Sequence, residues 1–199
     1  MKVLIACEFS GIVREAFNRK GHDAWSCDIL PTEIEGKHIQ DDILLHIHEG
    51  WDLMIAHPMC TYLCVPGAHY LHTRPERWEK MIDAKRFFEI LLNADIYKIC
   101  VENPVPHRYA ELIKYTQIIH PWHFGHELSK RTCLWLKNLP KLMPTDIKDN
   151  HGDRYLRTER QQKSGRSKSS NSKWYAKANW KERSTTFQGI AEAMAEQWG

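Results

Sequence analysis

Short apolar runs alternate with amphipathic stretches along this chain, and that alternation predicts strands interleaved with helices. Lys2 to Cys7 is an unbroken apolar run after its lysine and reads as a buried strand. Glu8-Phe-Ser-Gly11 makes a turn. Ile12 to Lys20 carries Val13, Ala16 and Phe17 at helical spacing, and Gly21 is a fit helix stop. Ala24 to Asp28 reads as a second strand, ending in an acid. His38 to Ile43 reads as a short polar segment at a strand end, and His46 to Gly50 as a turn or brief helix. Asp52 to Ala56 is the next buried strand, and it delivers His57-Pro-Met-Cys60 into a loop that runs from Thr61 to Pro75. Glu76 to Asn93 shows the clearest helical pattern, with Trp78, Met81, Ile82, Phe87, Phe88, Leu91 and Leu92 on a broad apolar stripe. Ile96 to Val101 predicts a strand ending at Glu102-Asn-Pro104. Pro106 to Tyr115 reads as a short helix, Thr116 to His120 and Thr132 to Leu136 as strands, and Thr186 to Trp198 as a closing helix that packs on the core.

This order predicts an α/β fold with three layers and a mostly parallel central sheet. In such sheets ligands gather beyond the carboxyl ends of the strands. Gly11, Asp28, Cys60 and Glu102 each follow a predicted strand, so they are expected to share one end of the sheet. The opening strand, glycine turn, helix, strand and acid match a nucleotide-binding α/β unit. In that reading Gly11 admits a ligand to the backbone, the following helix offers N–H groups, and Asp28 takes ribose hydroxyls. A plain α/β repeat with no ligand fits the same order.

Composition bounds the picture. The 199 residues are enough for one domain with a core, and 42% hydrophobic and 27% charged residues are ordinary for a soluble globular protein. No apolar run reaches the roughly 18 residues of a membrane span. The first residues resemble the start of a signal, but Glu8 cuts the apolar stretch short, so a first strand and a cytoplasmic protein are expected. Six scattered cysteines read as free thiols. The net charge of +3 is unevenly spread: ten Lys/Arg stand against three Asp/Glu between His151 and Arg183. That segment, with its Ser/Lys-rich run from Gln161 to Ser172, suggests a polyanion partner or else a solvated loop.

Cys60 is the candidate nucleophile, because a thiolate attacks electron-poor carbons well. Glu102 is a candidate proton or hydrogen-bond donor to the same substrate, Asn103 offers amide contacts, and Arg131 or Lys130 is placed to hold an anion. A rival reading takes the same stretch as a metal site. His57, Cys60, Cys64, His69 and His72 form the pattern His-x2-Cys-x3-Cys-x4-His-x2-His, which contains spacings a zinc ion uses.

Several short motifs, in order, resemble the catalytic domain of cytosine-C5 DNA methyltransferases, in the small form common among phage and prophage proteins. Phe9-Ser-Gly11 resembles the family's first motif, which contacts S-adenosylmethionine. Cys27-Asp28-Ile29 resembles the second, with the acid on the ribose and Ile29 against the adenine. Asp42-Ile43 is similar to the third, where the acid binds the adenine amino group. His57-Pro58-Met59-Cys60 resembles the Gly-Pro-Pro-Cys loop that carries the nucleophile, with Pro58 counted to the cofactor side. Val101-Glu-Asn-Pro104 resembles the Glu-Asn-Val motif, whose glutamate contacts N3 of the base. Ser129-Lys-Arg131 is similar to the arginine-bearing motif, and Phe187 to Met194 to the last motif, a helix that completes the cofactor pocket. Val13, Met59, Thr61 and Pro104 depart from the family pattern.

The resemblance implies a Rossmann-like methyltransferase fold in a single domain spanning residues 1–199. A basic insertion at about 148–185 stands where the family carries a large target-recognition domain. It implies methyl transfer from S-adenosylmethionine to C5 of cytosine in DNA, by a covalent adduct at Cys60. Arg166, Lys168, Lys173, Trp174 and Tyr175, with Trp180, are expected to meet nucleic acid through phosphates and stacked bases. A protein partner for target recognition is compatible with the short insertion. Two alternatives stay open: a binding module that keeps the fold with vestigial catalytic groups, and an enzyme on the same fold acting on a free nucleotide.

Overall fold

A computed structural model describes residues 1–151 and 178–199. The strands are β1 (Lys2–Ala6), β2 (Asp23–Cys27), β3 (His38–Ile39), β4 (Leu53–Ala56), β5 (Lys98–Pro104), β6 (Gln117–Ile119) and β7 (Thr132–Lys137). The helices are α1 (Ile12–Arg19), α2 (Arg77–Leu92), α3 (Trp180–Ser184) and α4 (Gln188–Trp198). One seven-stranded sheet has the order β3-β2-β1-β4-β5-β7-β6. All neighbours pair in parallel except β7, which is antiparallel to both β5 and β6. This is the three-layer, Rossmann-like, mostly parallel architecture expected from the sequence.

The alternation of side chains along each strand builds a core on each face. Leu4, Met54, Ile99 and Val101 meet Met81, Phe88 and Leu91 of α2. Val3, Ile5, Leu53, Ile55 and Cys100 meet Val13 and Phe17 of α1 and Ile190 and Met194 of α4. β4 is buried at all four positions, as a central parallel strand covered on both sides must be.

Some expectations are corrected. The stripe on α2 is narrower than its sequence suggests. Trp78 and Ile82 are exposed by 37% and 44%, and Trp78 turns its indole N–H to the Leu71 carbonyl at 3.0 Å, before the helix. His46 to Gly50 is a turn, the first of the two forms expected, and a 3-10 turn at Ile43–Leu45 precedes it. Asp42 starts the 3-10 turn by accepting from the Leu44 N–H at 3.0 Å. The helix expected from Pro106 to Tyr115 is a 3-10 turn at Arg108–Ala110 only. His107 caps it, and Glu111 ends it in the left-handed region at φ 47°. The long loop after Cys60 contains a 3-10 segment, Val65–Leu71.

The most consequential difference concerns β5. Its pairing with β4 ends at Val101, opposite Ala56, while its pairing with β7 continues through Glu102, Asn103 and Pro104. Glu102 therefore lies inside the strand rather than after it. The three residues overhang the end of β4, held on one side only. Pro104, which lacks an N–H, is tolerated there because no strand continues on the β4 side.

Candidate functional site

The carboxyl ends of β1, β2, β3 and β4 open onto a cavity of about 450 Å³, within the range of small-molecule sites. Phe9, Ser10, Asp28, Ile29, Asp42 and Ile43 all line it. His57, Met59 and Thr61 form the side nearest the Cys60 loop, and Trp180, Ser184 and Thr186 close it from the C-terminal part of the chain. Asp28 uses Oδ1 to accept from the Leu30 N–H at 2.9 Å, and Asp42 uses Oδ1 on Leu44. No hydrogen bond among the described residues engages Oδ2 of either carboxylate. The thiol of Cys27 in the same wall is pushed up to about 12, by burial first and then by Asp28 and Asp41, so it is a neutral surface.

Two expected cofactor contacts take other work. The free N–H groups of α1 are not offered to a ligand. Buried Glu8 accepts from the Val13 N–H at 2.7 Å, from the Arg14 N–H at 3.2 Å and from Ser10 Oγ at 3.1 Å. A carboxylate in that place is favoured by the helix dipole, and it fills the anion position with the protein's own charge. Gly11 does not line the cavity. It sits at φ +77°, and a Cβ there would lie 2.8 Å from Nη2 of Arg14. The glycine makes room for Arg14 rather than for a ligand. Arg14 is fully buried. Its guanidinium donates to Ser26 Oγ at 2.9 Å, Thr32 Oγ1 at 3.2 Å and the Ile34 carbonyl at 2.6 Å, and so fixes the loop that follows Asp28, Ile29 and Leu30. The signal for Arg14 in the sequence was its place in an otherwise apolar helix face.

The nucleophile loop is clamped from several sides. Asn103, 1% exposed, donates from its amide to the Pro58 carbonyl at 2.9 Å. Pro58 is thus a buried hinge of the loop and does not line the cavity. The Cys60 carbonyl accepts from the Leu63 and Cys64 N–H groups, both at 3.1 Å. Arg77 donates to the Thr61 carbonyl at 3.1 Å, and the Leu63 carbonyl accepts from the His107 N–H at 2.9 Å. Cys64 lies against Cys60 and raises its thiol, which burial and Glu102 push further in the same direction, against Lys130. Cys60 therefore rests as a thiol.

Glu102, in the β5 overhang, lies close enough to Cys60 for its charge to raise the thiol. Burial raises its carboxyl, but the hydrogen bond from His57 and the charges of Lys130 and His57 outweigh that, and the balance is a lowered value. Glu102 is thus held ionised, where the sequence reading allows a protonated donor. His57 Nδ1 lies 3.2 Å from Glu102 Oε2, and the His57 side chain is 7% exposed.

Of the two candidates for holding an anion, Lys130 rather than Arg131 lies on the Glu102 side. In the β5–β7 register Glu102 is opposite Leu134 and Pro104 opposite Thr132. The even positions of β7 therefore share a face with Glu102, and continuing the alternation puts Lys130 on that side. Lys130, Thr132 and Glu102 line one small hollow with Phe187 and Ile190. Arg131 is exposed, and its charge acts on His120 and Cys133 instead. The proposed zinc ligands disperse: His57 binds Glu102, Cys60 lies against Cys64, His69 packs on Tyr70 and His72 meets Tyr109 at 3.2 Å. Among the described residues no group of three His, Cys, Asp or Glu side chains is placed to hold a metal. Trp180 packs on Phe9 with ring centroids 5.9 Å apart, so it belongs to the cavity. Arg166, Lys168, Lys173, Trp174 and Tyr175 lie outside the described residues.

No protein-family model matches the chain, and no curated protein matches it. Among solved structures, it is similar to the crystal structure of a candidate DNA modification methyltransferase encoded within a prophage (E. coli). That similarity has a TM-score of 0.48 and 15% sequence identity, over 73% of this chain and 51% of that one. The chain spans about half the length of that protein.

Proposed function

We propose that this chain is an S-adenosylmethionine-dependent enzyme that methylates C5 of cytosine in DNA through a covalent adduct at Cys60. The observation that carries the reading is the overhang of β5. It brings the ionised Glu102 up to the Cys60 loop, and Asn103 ties that loop in place through Pro58. A cavity sized for a nucleoside-like ligand adjoins it. The cavity fits the cofactor. Asp28 and Asp42 each have a carboxylate oxygen that no hydrogen bond among the described residues engages, suited to hydroxyl or amino groups, and Phe9, Ile29, Ile43 and Trp180 supply flat apolar surface for a purine.

When bound, S-adenosylmethionine supplies the electrophilic methyl group that C5 takes. The chain's own residues do the rest. The target base reaches the site unstacked, flipped from a duplex or already single-stranded. Cys60 attacks C6 as its thiol proton passes by way of the Glu102 carboxylate to N3, which makes C5 nucleophilic. Lys130 faces the same hollow and offsets negative charge on the base carbonyl. Loss of the C5 proton then expels the Cys60 thiolate.

The basic segment is assigned to DNA phosphates and stacked bases through Arg166, Lys168, Lys173, Trp174 and Tyr175, with a protein partner as a further source of target choice. A cytoplasmic site of action goes with this reading. Among the described residues no helix is long and apolar enough to cross a membrane.

The test is transfer of a tritiated methyl group from S-adenosylmethionine to cytosine-containing DNA. Transfer is expected, and Cys60→Ala is expected to reduce it by about 10³-fold or more while calorimetric binding of the cofactor persists. Absence of transfer to every DNA and nucleotide tried, with the cofactor bound, would leave a binding module as the function.

A further inference from the structure

The reaction just proposed needs a base for the C5 proton, and we infer that His57 Nε2 is that base, held ready by Glu102. The inference rests on the methyltransferase reading of the site and adds one residue to it. Three observations meet at His57. Its Nδ1 is spent on Glu102 Oε2 at 3.2 Å. Its side chain is 7% exposed, and Nε2 is shut off from water with no hydrogen-bond partner. It lines the large cavity, whereas Glu102 lines the small hollow next to it.

The consequence is a fixed tautomer. A carboxylate accepts only, so Nδ1 must carry the hydrogen, and in the neutral ring Nε2 is then a lone pair. Carboxylate, imidazole and an unpartnered far nitrogen make the arrangement that turns histidine into a general base elsewhere. With Nδ1 bound to Glu102, Nε2 is the ring nitrogen left for a substrate, and the residue itself forms part of the cavity wall. A buried acceptor with nothing to accept is costly unless a partner arrives. An incoming C–H that must be broken is such a partner.

The step balances. After C5 has taken the methyl group, its C–H bond breaks and the proton goes to His57 Nε2. The electron pair left behind forms the C5=C6 double bond, the C6–S bond breaks, and Cys60 leaves as thiolate. His57 is left as an imidazolium paired with Glu102, and it returns its proton to water when the product departs.

His57→Asn separates this role from a positioning one, because the asparagine amide keeps a donor near Nδ1 and provides no base. DNA carrying 5-fluorocytosine reports attack and methyl transfer only, since fluorine cannot leave as a proton. The first measurement is the rate of covalent adduct formation on that DNA. The second is tritium release from C5-tritiated cytosine in ordinary DNA. In the variant, adduct formation is expected to stay within about 3-fold of the parent, while tritium release falls by about 100-fold and methylated adduct accumulates on ordinary DNA. Two results would overturn the assignment: tritium release unchanged, or both rates falling together, which marks His57 as a positioning residue. Failure of the parent protein to trap 5-fluorocytosine DNA would instead remove the methyltransferase reading and this assignment with it.

Discussion

At the scale of single residues, the site depends on which groups keep Glu102 ionised. Lys130 contributes by charge and His57 by a hydrogen bond, and both lower the Glu102 carboxyl. Replacing Lys130 with Met removes a positive charge that also lowers Cys60. Both groups then rise, so the acid limb of the rate profile, set by the fraction of ionised Glu102, moves to higher pH. Transfer rates measured from pH 5 to 9 test this, and an unmoved acid limb in Lys130→Met would show that Lys130 lies outside the reaction's electrostatics. Arg131→Met is the control and is expected to leave the profile in place. The residues alone left Arg131 and Lys130 both open, and the resemblance pointed to the arginine by residue type. The alternation along β7 points to its neighbour, and that depends on the β5 register, which no local pattern reveals. His57 was hidden for a different reason. Its position reads as part of a loop motif, and its pairing with Glu102 joins residues 45 apart in sequence.

A second residue-scale prediction concerns stability. His120 is lowered to about 4, by burial first and then by His123, Arg131 and His151. Between about 4 and the ordinary value of 6.5 the unfolded chain binds a proton that the folded chain refuses. Folding stability therefore rises with pH across that window and is lost as pH falls through it. His120→Gln is expected to flatten this dependence. Thermal melts at pH 4.5 and 7.5 measure it, and an equal drop in Tm for both proteins would rule His120 out as the cause.

At the scale of elements, the loop from Asp28 to Lys37 connects fold to function. It carries Asp28, Ile29 and Leu30 into the cavity wall, and it is anchored from beneath by Arg14 of α1. Gly11 and Gly36 leave the space that the guanidinium fills; a Cβ at Gly36 would lie 2.7 Å from Nη2. Arg14→Met strands a serine, a threonine and backbone carbonyls without their donor, at a cost of about 3 kcal/mol. Gly11→Ala adds a left-handed alanine to a clash, at about 1–2 kcal/mol or more. Denaturant midpoints test both, and cofactor affinity is expected to fall with them because the wall loosens. A variant with unchanged midpoint would show that the loop holds itself. The strands and the main helices were legible in the sequence because their apolar runs are local signals. The purpose of Gly11 was not. A glycine after a first strand looks the same whether it admits a phosphate or an arginine, and only the fold decides between them.

At the scale of the whole molecule, the chain returns to its beginning to finish the cavity. α3 follows the basic segment and lands on the first turn: Trp180 packs on Phe9, and Lys181 meets Glu33 at 2.9 Å. Lys130 adds a link from the Glu102 side by donating to the Arg183 carbonyl at 2.9 Å. The sequence assigned Trp180 to the bases of the nucleic acid, since it stands in a basic, aromatic stretch. The structure assigns it to the cavity, 55% exposed on its outer side. The ion pair is exposed on both partners and contributes about 0–1 kcal/mol, so the indole is the larger part of the contact. Trp180→Ala removes that flat surface from the cavity while leaving both cores untouched, because neither includes it. Binding of S-adenosylmethionine is expected to weaken by about 10-fold, equivalent to roughly 1.4 kcal/mol, with Tm unchanged in the absence of cofactor. Calorimetric titration beside a thermal melt separates the two effects. Full affinity in Trp180→Ala would mean that α3 rests on the cavity without helping to hold what it contains. Weakened binding would tie the residues that follow the basic segment to the occupancy of the cavity.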